Sequence, residues 1–259
     1  MASWSVHVLM VIAIASQKGG TGKTSTSISL AAGVARKGKK TLLIDMDSQA
    51  NASKVLLKNY AQLKFDQTIH ATILQRKSLQ IHPTEIPNLD IVPSHILLSN
   101  TDIELTTAID HREARLKAKL DTLKNPYDFV FIDCPPTLSW LTINAFTAAQ
   151  GALVVVSPGY FELDSIVQIT KTIKEVQEIF NPALSIIGFL FTMSDPTINT
   201  QTSLQILRQT YTGTVLNTTI PRNVDIRDAH FNRKDIFAYN PKSKSALAYQ
   251  KVIHELFEL

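Results

Sequence analysis

A glycine-rich segment at residues 17–24, QKGGTGKT in one-letter code, constrains this chain more than any other stretch. It follows an apolar run at residues 8–15 and precedes a segment at residues 25–36 that is typical of a helix. A strand, a glycine loop and a helix in this order form the setting of a phosphate-binding loop. The glycines let the backbone aim consecutive N–H groups at an anion, which also lies at the positive end of the helix. The segment therefore predicts a site for the phosphates of a nucleotide.

Two side chains of this loop indicate its chemistry. Lys23 would reach the β- and γ-phosphates, and the Thr24 hydroxyl would bind the Mg²⁺ that bridges them. The sequence thus indicates ATP and Mg²⁺ as cofactors. The other nucleotide contacts predicted in this segment are its backbone and hydroxyl groups, at Gly19, Gly20, Thr21, Gly22 and Ser25.

Carboxylates follow two further apolar strands. The strand at residues 41–44 ends at Asp45 and Asp47, and the strand at residues 127–132 leads to Asp133. The carboxyl ends of parallel strands lie at the ligand-binding edge of an open sheet, so these aspartates are predicted beside the glycine loop. We expect Asp133 to hold Mg²⁺, directly or through water. Asp47 could either contact the reacting groups or cap the short helix predicted at residues 52–57.

These motifs resemble those of the deviant Walker A ATPases, the ParA/MinD family, which includes ParA/Soj-like partition ATPases and McdA-like positioning ATPases. The generic pattern G-x-x-x-x-G-K-S/T is not met, because Gln17 stands at its first position. A second lysine, Lys18, stands at the start of the loop instead. The family's D-x-D-x-Q and I-D-x-P-P motifs match the segments that begin at Asp45 and Ile132.

The resemblance implies a mechanism. Asp47 would orient the attacking water and contribute at the metal, and Asp45 would be a more remote contact to the magnesium. Lys18 of one subunit would reach the phosphates of the other in an ATP-dependent homodimer, where a cation neutralises developing charge. Hydrolysis would be slow until a small adaptor protein stimulates it. Two later loops resemble the family's adenine contacts more loosely, and they contribute Met193, Asp195, Pro221 and Asn223.

The alternation of strands and helices along the chain predicts an α/β fold: a three-layer, mainly parallel, doubly wound sheet of about seven or eight strands. We expect one ATPase domain over residues 1–259, with residues 1–9 as an N-terminal extension. The helices predicted after the first two lie at residues 68–79, 112–124, 138–149, 163–180, 200–210, 225–231 and 243–258. A last strand is predicted at residues 214–220.

The amino-acid composition indicates the cellular compartment in which the protein works. The single cysteine, Cys134, excludes a disulfide framework and cysteine-pair metal sites, and we interpret it as a small core residue rather than a nucleophile. No apolar run is long enough to span a bilayer. We therefore expect a cytoplasmic protein.

Charge is distributed unevenly. Residues 101–200 carry 7 basic and 12 acidic side chains, whereas residues 201–259 carry 8 and 5. A basic final segment permits a polyanion-binding face, although ordinary solvated charge explains it equally well. The candidate DNA contacts are Arg222, Arg227, Arg233, Lys234, Lys242 and Lys244.

The expected function is an ATP-dependent dimerising switch that binds DNA nonspecifically, associates with the nucleoid and partitions or positions a plasmid, a chromosome region or a protein assembly. Two alternatives stay open. A MinD-like membrane-associated regulator needs a basic amphipathic tail, whereas residues 254–259 are acidic and apolar. A metabolic enzyme of the same fold, such as a dethiobiotin-synthetase-like ligase, needs a site for a small acid, which the sequence does not indicate.

Overall fold

The computed structural model describes residues 9–123 and 127–259, and the side chains of residues 160–164 are not described. Within these ranges seven strands form one sheet, in the order β3-β4-β2-β5-β1-β6-β7. Neighbouring strands are parallel except for the pair β3–β4. This confirms the predicted α/β fold. The strands are β1 (Met10–Ala15), β2 (Thr41–Asp45), β3 (His82–Pro83), β4 (Leu89–Val92), β5 (Phe129–Asp133), β6 (Gly151–Val156) and β7 (Ser185–Phe191).

The helices of the described residues cover both faces of the sheet. They are α1 (Lys23–Arg36), α2 (Asn51–Leu56), α3 (Ile69–Gln75), α4 (Thr101–Thr107), α5 (Arg115–Leu120), α6 (Trp140–Ala148), α7 (Tyr160–Ile179), α8 (Ile198–Thr210), α9 (Val224–Phe231), α10 (Ile236–Tyr239) and α11 (Lys244–Phe257). Short 3₁₀ turns lie at Tyr60–Gln62, Phe65–Gln67 and Ile96–Asn100.

Strand β1 shows why the sheet is buried on both faces. Its side chains alternate between the two faces, as strand geometry requires. Val11 and Ala13 pack in the core on the side of α3 to α8, whereas Ile12 and Ile14 pack in the core on the side of α1, α2 and α9 to α11. Continuous apolar strands of this kind are typical of parallel sheets covered by helices.

The register of the central strands brings the predicted carboxylates together. Asp133 at the end of β5 pairs with Asp45 at the end of β2 and with Ile14 near the end of β1. Strand β1 has β5 on one side and β6 on the other. The chain builds the sheet towards β3 from one side of β1 and towards β7 from the other, so the strand order reverses at the carboxyl end of β1. Open α/β sheets bind ligands at such a point.

Helix α11 packs closely on α1. The Thr26 and Tyr249 hydroxyls lie 3.1 Å apart and share a hydrogen bond. A Cβ atom on Gly33 would lie 2.2 Å from the Cδ1 of Ile253, so a larger residue at this position would require the Ile253 side chain to shift. The C-terminal helix therefore covers the helix that follows the glycine loop.

Two predicted elements were wrong in type or extent. The segment at residues 214–220 makes one isolated bridge, between Val215 and Phe189 of β7, and hydrogen bonds from the Leu216 and Ile220 N–H groups to β7, rather than a strand of the sheet. Its N–H groups at Asn217 and Thr218 donate instead to the Glu255 carboxylate, at 2.6 and 3.1 Å. The helix predicted at residues 112–124 is shortened to α5.

The shortening of α5 has a tertiary cause. The Arg112 guanidinium lies 4.0 Å from the ring centre of Trp140 and donates to the carbonyl groups of Leu105 and Thr106. These contacts hold Arg112 outside the helix. Lys124, the predicted end of the helix, lies outside the described residues.

The remaining differences between prediction and structure concern the end of a helix and the edge of the sheet. The helix predicted at residues 68–79 ends at Gln75, where Arg76 takes a left-handed conformation with φ of 55°. Pro83 belongs to the two-residue edge strand β3, a position that tolerates proline. Among the described residues, no helix has the length and apolar character needed to cross a bilayer.

Candidate functional site

The glycine loop joins β1 to α1 and surrounds an open space. Gly20 and Gly22 have φ angles of 78° and 87°, a region that side chains other than glycine enter at a cost. A Cβ atom added to Gly19 or Gly20 would meet no described atom within 4 Å. No described side chain caps the start of α1, so its first N–H groups are available to an anion. The loop therefore fits a phosphate group.

Lys23 lies inside this loop with its charge buried. Its ammonium donates to the carbonyl of Lys18 at 3.0 Å, and the residue is only 6% exposed. Burial lowers the pKa of Lys23, while the charges of Asp133 and Asp47 act in the opposite direction. Lys18 also donates its backbone N–H to the Ser16 hydroxyl at 3.4 Å. The two lysines of the motif are thus linked through the backbone of the loop.

Asp133 offers an oxygen to a cation. Its Oδ1 accepts from the Ser27 hydroxyl at 2.9 Å, and the nearby Thr24 hydroxyl favours the charged form of the carboxylate. Its Oδ2 is buried and has no partner among the described residues. Burial, followed by the charge of Asp45, raises the pKa of Asp133 to about 7.

A buried carboxylate oxygen without a partner is costly, and a divalent cation removes that cost. The Asp133 carboxylate and the Thr24 hydroxyl supply the hard oxygen donors that Mg²⁺ prefers. The residues present therefore fit a magnesium ion.

Asp45 holds the neighbouring loop. Its Oδ2 accepts from the Ser53 hydroxyl at 2.6 Å and from the Ser53 N–H at 2.9 Å, and its Oδ1 accepts from the Asp47 N–H at 3.2 Å. Burial raises its pKa to about 6, against the effect of the Ser53 hydrogen bonds. Because both carboxylate oxygens are bonded to the chain, Asp45 positions α2 and Asp47, a role different from the expected contact near the metal.

Asp47 lies half-buried at the edge of the loop's opening. Its Oδ1 accepts from the Gln49 N–H at 2.9 Å. Helix α2 begins after Ala50, and no described side chain caps it. The alternative that Asp47 caps this helix is therefore not supported, and its carboxylate lies in the same cleft as Lys23 and Thr24.

Two clefts open side by side above the carboxyl ends of the strands. The phosphate cleft has a volume of about 470 Å³ and is lined by the glycine loop, Lys23, Thr24, Asp47 and residues of α2. The base cleft, of about 460 Å³, is lined mainly by residues 192–193 and 220–230. Both volumes lie in the range of small-ligand sites. The clefts share four residues, which are Gly22, Ser25, Met193 and His230.

The structure places the loosely predicted adenine contacts unequally. Met193, Pro221 and Asn223 line the base cleft. Asp195 is not among the residues that line it, and its carboxylate accepts from the hydroxyls of Thr197 and Thr200 at 2.6 Å each. Thr21 is buried beneath the loop, where its carbonyl accepts from the Thr192 hydroxyl at 2.7 Å.

Sequence reasoning missed several lining residues. Asn51 and Lys54 of α2 line the phosphate cleft, and Tyr249 of α11 lines the base cleft. His230 lines both. Its spacing of seven residues from Asn223, with Ile226 and Arg227 between them, is the periodicity of one helix face and could have indicated it.

The predicted DNA contacts have exposed side chains in the last third of the chain: Arg222, Arg227, Arg233, Lys234, Lys242 and Lys244. Asn240 donates to the Asp225 carboxylate at 3.3 Å, which joins the segment before α11 to the start of α9. Arg222 and Arg227 also line the base cleft. This set of six residues, the basic surface, meets the nucleotide cleft at Arg222 and Arg227.

A glycine loop between β1 and α1, a buried lysine within it and a carboxylate at the end of β5 define a P-loop nucleotide-binding protein. Residues 9–186 match the profile of the AAA domain family. The chain is 38% identical over 251 residues to the sporulation initiation inhibitor protein Soj of Bacillus subtilis, covering 95% of this chain and 97% of that protein. The chain belongs to the Soj/ParA family of P-loop ATPases, as its motifs predicted.

Two solved structures have a similar fold. A putative plasmid partition protein from Borrelia burgdorferi bound to AMPPNP has a TM-score of 0.84 and 25% identity, covering 97% of this chain and 99% of that one. Cobyrinic acid a,c-diamide synthase from Mycobacterium smegmatis with bound ADP and magnesium has a TM-score of 0.80 and 30% identity, covering 95% and 93%.

Proposed function

We propose that this P-loop ATPase, with ATP and Mg²⁺ as its cofactors, is a partition or positioning switch. ATP closes two copies into a dimer that binds DNA nonspecifically on the nucleoid, and an adaptor protein stimulates hydrolysis and links the switch to its cargo. The observation that carries the proposal is the phosphate cleft itself, where a second lysine begins the loop and Asp47 and Asp133 lie at the same sheet edge.

Each polar group of the cleft has a separate task in this proposal. Lys23 and the N–H groups of the loop bind the phosphates. Thr24 and Asp133 hold Mg²⁺, which when bound neutralises charge on the β- and γ-phosphates. Asp47 orients water towards the terminal phosphate, and Asp45 keeps Asp47 in place through the backbone contact at 3.2 Å.

Exposed apolar side chains beyond the carboxyl end of β4 support a dimer. Apolar side chains stay exposed on the turn and helix that follow β4, with Ile96 56% and Ile103 71% exposed. Helix α4 is tied to the segment after Asp133, because the Asp102 carboxylate accepts the Leu141 N–H at 3.3 Å. A second copy facing this edge would cover these side chains and place its Lys18 near the phosphates.

Nonspecific DNA binding follows from the dimer. One subunit offers few cations, and complexes with the DNA backbone are built from many phosphate contacts. A two-fold dimer doubles the contacts on one surface. Because Arg222 and Arg227 lie at the base cleft as well as on the basic surface, nucleotide binding and DNA binding involve the same elements.

One neighbour favours a second candidate function. The Mycobacterium smegmatis synthase indicates an enzyme that uses ATP to form amides on a carboxylic acid. In that case ATP consumption would require the acid and would not depend on DNA. Hydrolysis that proceeds without any carboxylic acid substrate, and that rises with DNA and an adaptor, would count against the synthase alternative.

The experiment uses the Asp47→Ala variant, which is expected to bind ATP and stay in the ATP-bound dimer. Its affinity for unrelated duplexes is measured by fluorescence anisotropy at low and moderate salt, with ATP and with ADP. We expect ATP-dependent binding without sequence preference that weakens steeply as salt rises, because each phosphate contact releases counterions.

Charge reversal at Lys242 and Lys244 should weaken binding to all duplexes alike and leave the ATP dimer intact. Reversal at Lys171 and Lys174, two exposed lysines on α7, is the matched control. If the ATP-bound dimer of Asp47→Ala does not bind DNA at low salt but sediments with anionic liposomes, the membrane-associated switch replaces this proposal.

A further inference from the structure

The two clefts meet at four residues, and one of them can carry a charge. Gly22, Ser25 and Met193 offer no ionisable group, whereas His230 offers an imidazole. His230 lies near the end of α9, and its carbonyl accepts the Arg233 N–H at 3.0 Å. The position of the ring at the junction follows from the helix that carries it.

We propose that His230 contacts the bound nucleotide where its sugar joins the phosphates, and that this contact strengthens nucleotide binding as the pH falls. The inference rests on the proposed occupation of the two clefts by one nucleotide. A molecule that places its base in one cleft and its terminal phosphates in the other must lay its sugar and first phosphate across the junction. The imidazole then faces the inner end of the phosphate chain.

The chemistry of the ring gives the direction of the effect. The surroundings bury much of the ring, and burial lowers the pKa of His230. An anion bound beside it favours the protonated form. Nucleotide binding is then accompanied by proton uptake at His230, and linkage requires the affinity to rise as pH falls from the pKa of the bound state towards the lowered pKa of the free ring.

Other charged groups surround the junction and modulate this effect. Cations on α1, α2 and the start of α9 disfavour a protonated ring, whereas Asp47 and the neighbouring carboxylate on α9 favour it. The groups on the elements packed around His230 are Lys23, Asp47, Lys54, Arg222, Arg227, Asp228, Arg233, Lys234 and Tyr249. A nucleotide neutralises the nearby lysines and arginines, so its binding also removes part of their opposition to a protonated ring.

The test compares the wild type with His230→Gln, whose amide keeps a hydrogen-bonding group but cannot become charged. The Kd of Mg²⁺·ADP and the Kd of adenosine are measured at about pH 6 and about pH 8, on either side of the titration of an ordinary histidine. Nucleotide phosphates titrate in the same range, so the two proteins are compared with each other at each pH. His254→Gln, at an exposed position on α11, is the matched control.

At about pH 6 the wild type should bind ADP roughly three- to tenfold more tightly than His230→Gln, the scale of a partly exposed ion pair. At about pH 8 the two values should agree within about twofold, since the ring is then neutral. Adenosine, which lacks phosphate, should bind both proteins equally at both pH values. His254→Gln should follow the wild type throughout.

Three results would overturn the inference. The first is that the wild type and His230→Gln bind ADP equally at both pH values. The second is that His230→Gln loses the same ADP affinity at both pH values, which would mean that the substitution disturbs the fold. The third is that adenosine affinity changes as much as ADP affinity. His230→Asn and thermal unfolding of each variant guard against a folding defect. The same titration on Lys23→Ala tests the site itself: undiminished ADP binding there would remove the proposed function, whereas its loss beside an unchanged His230→Gln would remove only this inference.

Discussion

The phosphate cleft and the base cleft lie side by side, yet their polar groups are held in different ways. Behind the lining of the phosphate cleft, Asp45 and Asp133 are fully buried at the ends of paired strands, and Lys23 is buried in the loop. In the base cleft, Arg222 and Arg227 are exposed on a loop and a short helix. Buried charges must be paired or bind a metal, whereas exposed charges interact weakly.

The difference teaches that the two clefts should respond differently to substitution. A change in the phosphate cleft disturbs groups that depend on one another and should cost both binding and stability. A change in the base cleft should alter affinity by small steps. The following predictions test that contrast.

The largest effect is expected for Lys23→Ala. Its ammonium is the buried cation of the loop, and its removal leaves the phosphates without a charged partner in a desolvated site. ATP affinity should fall roughly a hundredfold or more, measured by calorimetry or with a fluorescent ATP analogue. Lys37→Ala, at the far end of the same helix, should bind ATP normally. Undiminished ATP affinity in Lys23→Ala would disprove the P-loop assignment.

Asp47→Ala should separate binding from hydrolysis. ATP should still bind, because the phosphate contacts remain, but the hydrolysis rate should fall by about a hundredfold or more, the usual scale for a positioned acid–base group. Phosphate release over time measures it, with the exposed Asp121→Ala as control. Turnover at the wild-type rate would move the role to another residue.

Lys18→Ala should affect assembly more than affinity. The monomer should retain ATP binding within about tenfold, since Lys23 and the N–H groups of the loop, which bind the phosphates in the proposal, remain. The ATP-dependent dimer should be lost, which light scattering or sedimentation with a nonhydrolysable analogue would detect. A stable dimer without Lys18 would contradict its action across the interface.

Two hydroxyl deletions compare the clefts directly. Ser53→Ala leaves the buried Asp45 carboxylate and the Ser94 N–H, which donates to Ser53 at 2.9 Å, each short of a partner. Tyr249→Phe removes one neutral hydrogen bond to Thr26. The free energy of unfolding should fall by about 1.5–3 kcal/mol for Ser53→Ala and by about 0.5–1.5 kcal/mol for Tyr249→Phe, measured by denaturant titration. Equal losses would mean that the two clefts do not differ as proposed.

The phosphate cleft could be predicted from the sequence because its signals are local. The glycines, Lys23 and Thr24 are contiguous, and Asp133 follows an apolar strand at a place that parallel pairing fixes. The role of Asp45 was not visible, because its partner Ser53 belongs to another element and either carboxylate could have faced the metal. In the same way, the strand predicted at residues 214–220 is not formed where the Asn217 and Thr218 N–H groups donate to the Glu255 carboxylate, 38 and 37 residues further along the sequence.

The base cleft was predicted only in part because it assembles from distant segments. Met193, Pro221 and Asn223 were found by resemblance, whereas Tyr249 comes from a helix whose sequence shows only an apolar face. To find His230 from the sequence, residues 223–230 would have to be placed on a helix with one face directed at a ligand. The sequence does not show which face of a helix meets a ligand. Tertiary packing, rather than local preference, decided these positions.

The packing of α11 on α1 has a consequence for the order in which the molecule is completed. The glycine loop and α1 leave the ribosome well before α11, because Tyr249 lies 223 residues beyond Thr26. Contacts between such distant residues close late in folding. During synthesis the nucleotide-binding helix therefore stays without its cover until α11 has been translated, and a chain truncated before α11 lacks one wall of the base cleft.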